Sequence, residues 1–190
     1  MKSVCVYCGS ASGNSPAFQQ AALSLAKQLV AKNLELVYGG GDVGLMKVIA
    51  DEVMRLGGHV TGVIPQALLD REVGHTQLNK LHVVANMHER KAMMAQLSDG
   101  FIALPGGIGT LEELFEMFTW LQLGFHHKPL GLLNADGFYD HLLQFLEHAV
   151  FSGFLKPEHN ALLIKETDPS LLLNRMQHFK DAINAKSTLG

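Results

Sequence analysis

With only two cysteines in 190 residues, the chain lacks both a disulfide framework and a cysteine-rich metal site. The pair spells C-x-x-C at Cys5 and Cys8, at the end of the apolar run Ser3–Cys8. On a strand these two have opposite parity, and their Cα atoms lie roughly 10 Å apart at ~3.3 Å per residue, beyond the ~7 Å reach of a disulfide. A thioredoxin-type pair would instead open the helix that follows, so buried structural thiols are expected. Charge is also sparse: 15 basic against 18 acidic residues give a net −3, with no long basic run. That gives no support to a nucleic-acid or membrane-surface partner. No apolar run reaches the ~18 residues of a membrane span. Met1–Cys8 has neither the apolar length nor the small-residue cleavage site of a signal peptide, so a cytoplasmic protein is expected. None of the ten histidines stands in H-E-x-x-H spacing, which leaves no metal site to expect. G-x-S-x-G is missing too, and a serine hydrolase with it. Repeats, low-complexity tracts and linkers are absent, so residues 1–185 read as one domain and 186–190 as a frayed tail.

What remains is an alternation of short apolar runs with longer helical stretches, the pattern of an α/β chain with a mostly parallel sheet. Seven strands are expected at Ser3–Cys8, Leu34–Tyr38, His59–Ile64, Lys80–Ala85, Gly100–Leu104, Pro129–Leu133 and Ala161–Ile164. Helices are expected at Pro16–Lys32, Val43–Leu56, His88–Leu97, Gly109–Leu123, Phe138–Val150 and Pro169–Ala185. Ser15-Pro16 and Asp168-Pro169 each set a capping residue before proline at the first helical position. Gly57-Gly58 stops the second helix.

In a parallel sheet all strand carboxyl ends share one edge, and ligands bind in the crevice there. The turns that converge on that edge are Gly9–Gly13 with Ser10, Gly39–Asp42 with Gly40 and Gly41, Pro65-Gln66, Asn86–Lys91 and Pro105–Gly109. Gly39-Gly40-Gly41-Asp42-Val43-Gly44 fits G-x-G-x-x-G between a strand and a helix. The next strand ends without an acid to grip a ribose, so a phosphate- or ribose-binding turn, or a plain tight turn, is favoured over a dinucleotide site. Arg90 and Lys91 are adjacent cations on that edge, a bidentate fork and a mobile point charge suited to phosphate. Glu72 lies in a connection of unassigned structure. Pro105-Gly106-Gly107-Ile108-Gly109-Thr110 runs from a strand into a helix, where free N–H groups favour an anion. The same residues admit another reading, in which Thr110-x-x-Glu113 is a capping box with Glu113 in the first helical turn. Leu111, Leu114, Phe115, Met117, Phe118, Trp120, Leu121 and Leu123 cover most of this helix's circumference. A helix apolar nearly all round is buried on more than one side, so a homodimer is expected through it and His88–Leu97. Met87, Met93 and Met94 read as core.

Met87-His88-Glu89-Arg90-Lys91 followed by Pro105–Glu113 resembles the LOG family, cytokinin riboside 5′-monophosphate phosphoribohydrolases also labelled lysine decarboxylase-like. Cys8-Gly9-Ser10, Tyr38–Gly41, Gly44-Leu45-Met46, Val63-Ile64-Pro65, Thr119-Trp120 and Lys128–Asn134 extend the resemblance over nearly the whole chain. It implies a single Rossmann-like, doubly wound domain, a homodimer and no cofactor. The implied reaction is hydrolysis of the N-glycosidic bond of a nucleoside 5′-monophosphate to free base and ribose 5-phosphate. Arg90 and Glu113 are implied as catalytic, and Glu72, Lys91, Gly107, Ile108, Gly109, Thr110, Leu111, Glu112, Glu113 and Thr119 as substrate contacts. Lys47 stands where the family has glycine, and Ile108 where tyrosine is common. Two other readings stay open: a non-catalytic nucleotide or cofactor carrier, and a pyridoxal-dependent decarboxylase using Lys47 or Lys91.

Overall fold

A computed structural model describes residues 1–71 and 74–179. Its strands are β1 Ser3–Tyr7, β2 Glu35–Tyr38, β3 Val60–Pro65, β4 Lys80–Val84, β5 Phe101–Ala103, β6 Leu130–Leu133 and β7 Leu163–Glu166. The helices are α1 Pro16–Ala31, α2 Gly44–Arg55, α3 Gln66–Leu69, α4 Met87–Leu97, α5 Ile108–Gln122, α6 Asp140–Phe151, α7 Pro157–Asn160 and α8 Pro169–Gln177. A 3₁₀ turn spans Ala135–Gly137.

The sheet has the order β4-β3-β2-β1-β5-β6-β7, and every neighbouring pair is parallel. The chain steps from β1 out to β4, then returns through α4 to β5 on the far side of β1 and continues to β7. Right-handed crossovers put α1 and α2 on one face and α4, α5 and α6 on the other. Helix α8 packs on α1 and so joins the first face. This is the doubly wound α/β fold expected. β1, at the centre, is buried along its whole length because both faces are covered.

Local chemistry sets the helix starts that matter. Ser15 accepts the Ala17 N–H before α1, and Asp168 accepts the Leu171 N–H before α8. Before α4, the Asn86 side chain accepts the Glu89 N–H at 3.0 Å, and the Glu89 carboxylate takes the Asn86 amide and the Ala85 N–H. This reciprocal cap starts α4 directly after β4 and places Arg90 one turn in.

Three short elements escaped the sequence pattern. Helix α3 follows β3 immediately, and the turn at Ala135–Gly137, with Asp136 at φ 52°, delays α6 to Asp140. Helix α7 draws Ala161 and Leu162 into its closing turn, so β7 begins at Leu163 rather than Ala161. The expected end of the last helix at Ala185 and the tail 186–190 lie outside the described residues.

Candidate active site

The strand order reverses between β1 and β5, and ligands in such folds bind outside the carboxyl ends at that point. A cavity of about 420 Å³ opens there, within the range of small-molecule sites. Ser10, Gly41, Arg90, Gly107, Ile108, Gly109, Thr110, Glu112 and Glu113 line it, from segments spread over more than 100 residues of sequence.

Arg90 is a buried cation held by backbone. Its Nε donates to the Val63 carbonyl of β3 at 3.1 Å, and its Nη2 to the Gly39 carbonyl at the end of β2 at 2.9 Å. The remaining corner, Nη1, stands 3.8 Å from Glu113 Oε1 and 3.8 Å from the Met87 sulfur. Two strand ends therefore hold a planar fork rigid, with one edge free toward the cavity. The fit leaves no spare space: a Cβ added at Gly39 would lie 1.8 Å from Arg90 Nη2. Gly39→Ala is accordingly expected to displace the guanidinium and cut turnover by about 10²-fold, with the fold intact by circular dichroism. Unchanged turnover would contradict this placement.

Glu113 is 9% exposed. Burial pushes its pKa up from the ordinary carboxyl value of 4.5 to about 7, with Arg90 working in the opposite direction and Glu112 adding to the rise. The capping-box reading does not hold. Helix α5 starts at Ile108 with Gly107 as its cap and no side-chain hydrogen bond there, so Thr110 is already the third helical residue. Glu113 thus sits in the second turn, beyond the strongest field of the helix start. The N–H groups of Ile108, Gly109 and Thr110 have no partner within the helix, and these three residues face the cavity. Among the described residues, a Cβ built at Gly107 or Gly109 would meet nothing within 4 Å beyond its own neighbouring backbone. Protein packing does not demand glycine at either position, whereas a ligand lying close to the backbone would.

Other expected residues fall elsewhere. Lys91 is turned to α5, pairing with Glu112 and lying 3.1 Å from Glu116, and is off the cavity wall. Leu111 is half-buried against the core, and Thr119 donates to the Phe115 carbonyl at 2.7 Å. Gly40, at φ 72°, shapes the turn between two residues that do line the cavity. Glu72 lies outside the described residues. Lys47 pairs with Asp42 and Asp51 away from the cavity, so it adds no cation to it.

Gly39, expected on this edge with its turn, lines the cavity, and Cys8, Val43, Met46, Ile64, Leu68 and Met87, not singled out as site residues in the sequence, complete the wall. Cys8 and Ile64 lie at or next to strand carboxyl ends, and strand position alone would have found them. Met87, read as core, is 41% exposed at the cavity edge, as befits the first residue of a helix on that side. Both cysteines are buried and unpaired.

A protein-family model described as "Possible lysine decarboxylase" matches residues 46–176. A cytokinin riboside 5′-monophosphate phosphoribohydrolase of Arabidopsis thaliana is 48% identical over 189 residues, covering 98% of this chain and 83% of that protein. A probable enzyme of the same name from Oryza sativa subsp. japonica is 49% identical over 176 residues, covering 93% of this chain and 78% of its own length. Among solved structures, the molybdenum cofactor carrier protein of Chlamydomonas reinhardtii has a TM-score of 0.70 at 17% identity, covering 95% of this chain and 98% of that one. The molybdenum cofactor binding protein of Rippkaea orientalis has a TM-score of 0.68 at 20% identity, covering 96% and 98%. Those two likenesses concern the fold alone. With close to half its residues shared with these phosphoribohydrolases along almost its full length, the chain belongs to the LOG family.

Proposed function

We propose that the chain hydrolyses the N-glycosidic bond of purine or cytokinin nucleoside 5′-monophosphates, releasing free base and ribose 5-phosphate. The observation that carries this reading is a buried carboxylate of raised pKa beside a fixed guanidinium, in one cavity with an uncapped helix start. The 5′-phosphate sits on the N–H groups of Ile108, Gly109 and Thr110, with Ser10 beside them. The C1′–N bond then lies toward Arg90 and Glu113. As it breaks, the bonding pair leaves with the base and positive charge builds on the sugar, which a carboxylate nearby stabilises. Water attacks C1′ and gives its proton to Glu113, which passes it on to the base nitrogen that left with the bonding pair; a pKa near 7 suits both transfers at neutral pH. Arg90 holds position and charge beside it. Lys91 acts through Glu112 and Glu116, keeping α5 against α4.

The helix start gives this scheme a phosphate requirement. Unphosphorylated nucleosides are expected to show kcat/KM lower by about 10²-fold or more, from the loss of charge-assisted hydrogen bonds. A panel of nucleoside 5′-monophosphates and their nucleosides, followed by chromatography of the free base, measures this. Equal rates for both would remove the phosphate from the scheme. A pyridoxal enzyme has no footing here, since no lysine lines the cavity among the described residues and Lys47 and Lys91 are both held in ion pairs. A pure carrier would not need the Arg90–Glu113 pair.

The second part of the proposal is a homodimer through α4 and α5. Exposed apolar side chains gather on the α4–α5–α6 face. Met87, Leu97, Ile108, Leu123, Phe125, Phe145, Phe151 and Phe154 lie on these helices or the turns that end them, against Val83 on the edge strand β4 and Phe138 and Leu171 on or near the other face. Thr119 lies on the exposed stripe of α5 with Glu112 and Leu123, where a second copy would reach it. Leu123→Glu combined with Phe125→Glu is expected to halve the mass measured by light scattering. A protein that keeps its mass would move the interface elsewhere.

A further inference from the structure

Behind the Gly39–Gly41 turn, on the side away from the cavity, four titratable side chains form a closed set that the proposed chemistry leaves unused. His75 is 3% exposed. Its Nε2 lies 2.8 Å from Asp51 Oδ1 of α2 and 3.8 Å from Asp42 Oδ1. Its Nδ1 accepts the Gln77 N–H at 3.3 Å, which leaves the ring proton on Nε2 and directs it to Asp51. Lys47 spans the same two carboxylates from the solvent side.

What this set holds in place is backbone. The His75 N–H donates to the Gly40 carbonyl at 2.9 Å, and Gly74 bridges to Gly41 in antiparallel sense. Gly40, at φ 72°, carries the turn whose preceding carbonyl, that of Gly39, receives Arg90 Nη2. An unbroken series of direct contacts thus runs from Asp51 through His75, Gly40 and Gly39 to Arg90.

We infer that His75, oriented by Asp51, is a positioning residue for the reaction, fixing the Gly39–Gly41 turn and thereby the Arg90 guanidinium beside Glu113. The inference rests on the hydrolase reading above. A guanidinium whose two hydrogen-bonded carbonyls fix its plane shifts when one of them moves, and small displacements of a catalytic group cost rate.

The test compares wild type, His75→Ala, His75→Gln, Asp51→Ala and the double variant His75→Ala/Asp51→Ala with AMP as substrate. The two single alanine variants are each expected to lower kcat by roughly 10- to 100-fold, with KM within about 3-fold of wild type. The double variant should be no slower than His75→Ala alone, because both changes cut one connection. His75→Gln, whose amide nitrogen can still donate to Asp51, should recover most of the lost kcat. The acid limb of the rate profile reports the Arg90 position independently. Glu113 feels Arg90 and Lys91 of α4, and Glu112 and Glu116 of its own helix, so withdrawal of Arg90 should move that limb to higher pH. Should His75→Ala fail to fold, Asp51→Ala carries the same readouts, since Asp51 is half-exposed. Folded variants with unchanged kcat and acid limb would reduce His75 to packing and overturn the inference. Wild type that releases no base would overturn the hydrolase reading, and this inference with it; wild type that does so at the same rate as the variants overturns the inference alone.

Discussion

Replacing Glu113 with glutamine is expected to lower kcat for base release by about 10²-fold or more, and to make the protein more stable above pH 7. The first effect follows from losing the group that takes the proton of water and faces the charge on the sugar. The second follows from linkage. An ordinary carboxyl value of 4.5 in the unfolded chain rises to about 7 in the fold. Between those values the native state keeps a proton that the unfolded state has released, so wild-type stability falls as pH rises through that window. Fully developed, the loss is about 3 kcal/mol at most. Glutamine keeps the shape and never ionises. Urea unfolding at pH 5 and pH 8 should therefore show near-equal midpoints at the lower pH, and a higher midpoint for the variant at pH 8. A variant both slower and more stable is what a buried catalytic carboxylate predicts. One that folds and turns over normally would return Glu113 to a structural role.

Arg90→Ala should lower turnover by about 10²- to 10³-fold and also destabilise the fold. The Val63 and Gly39 carbonyls lose their donor together, at about 1–3 kcal/mol for each that stays unpaired. Activity and stability must then be measured on the same samples, with rates referred to the folded fraction. Arg90→Lys separates the two effects. A single ammonium restores charge but not the fork that spans two strand ends, so stability should recover in part while turnover stays low. In Arg90→Ala the acid limb should lie above that of wild type, because Arg90 opposes the rise of the Glu113 pKa more than Lys91 does, whereas Arg90→Lys, which keeps a cation there, should shift it less. Wild-type turnover per folded molecule in Arg90→Ala would make the residue a strut only.

Much of this was legible in the sequence because a parallel sheet gathers its carboxyl ends on one edge. Ser10, Gly39, Gly41, Arg90 and Gly107–Gly109 lie in the strand-end turns that this rule picks out, and they line one cavity. Where reading stopped short, the cause was long-range or too local to leave a period. Thr110-x-x-Glu113 satisfies the spacing of a capping box, yet the helix begins at Ile108, because glycines on either side accept helical and extended backbone equally. Lys91 looked like a phosphate ligand, but its partners Glu112 and Glu116 lie on another helix, more than 20 residues away. Helices α3 and α7 are four residues each, too short for any apolar repeat. His75 carried no signal at all, since its meaning depends on Asp51 and on the Gly40 carbonyl.

The central claim is the reaction, and its products test it most directly. Wild-type protein incubated with AMP should yield free adenine and ribose 5-phosphate in equal amounts, resolved by chromatography, with the Glu113→Gln sample nearly unchanged over the same time. Adenosine and inorganic phosphate, or AMP left intact beside a demonstrably folded wild type and by every other nucleotide of the panel, would contradict it.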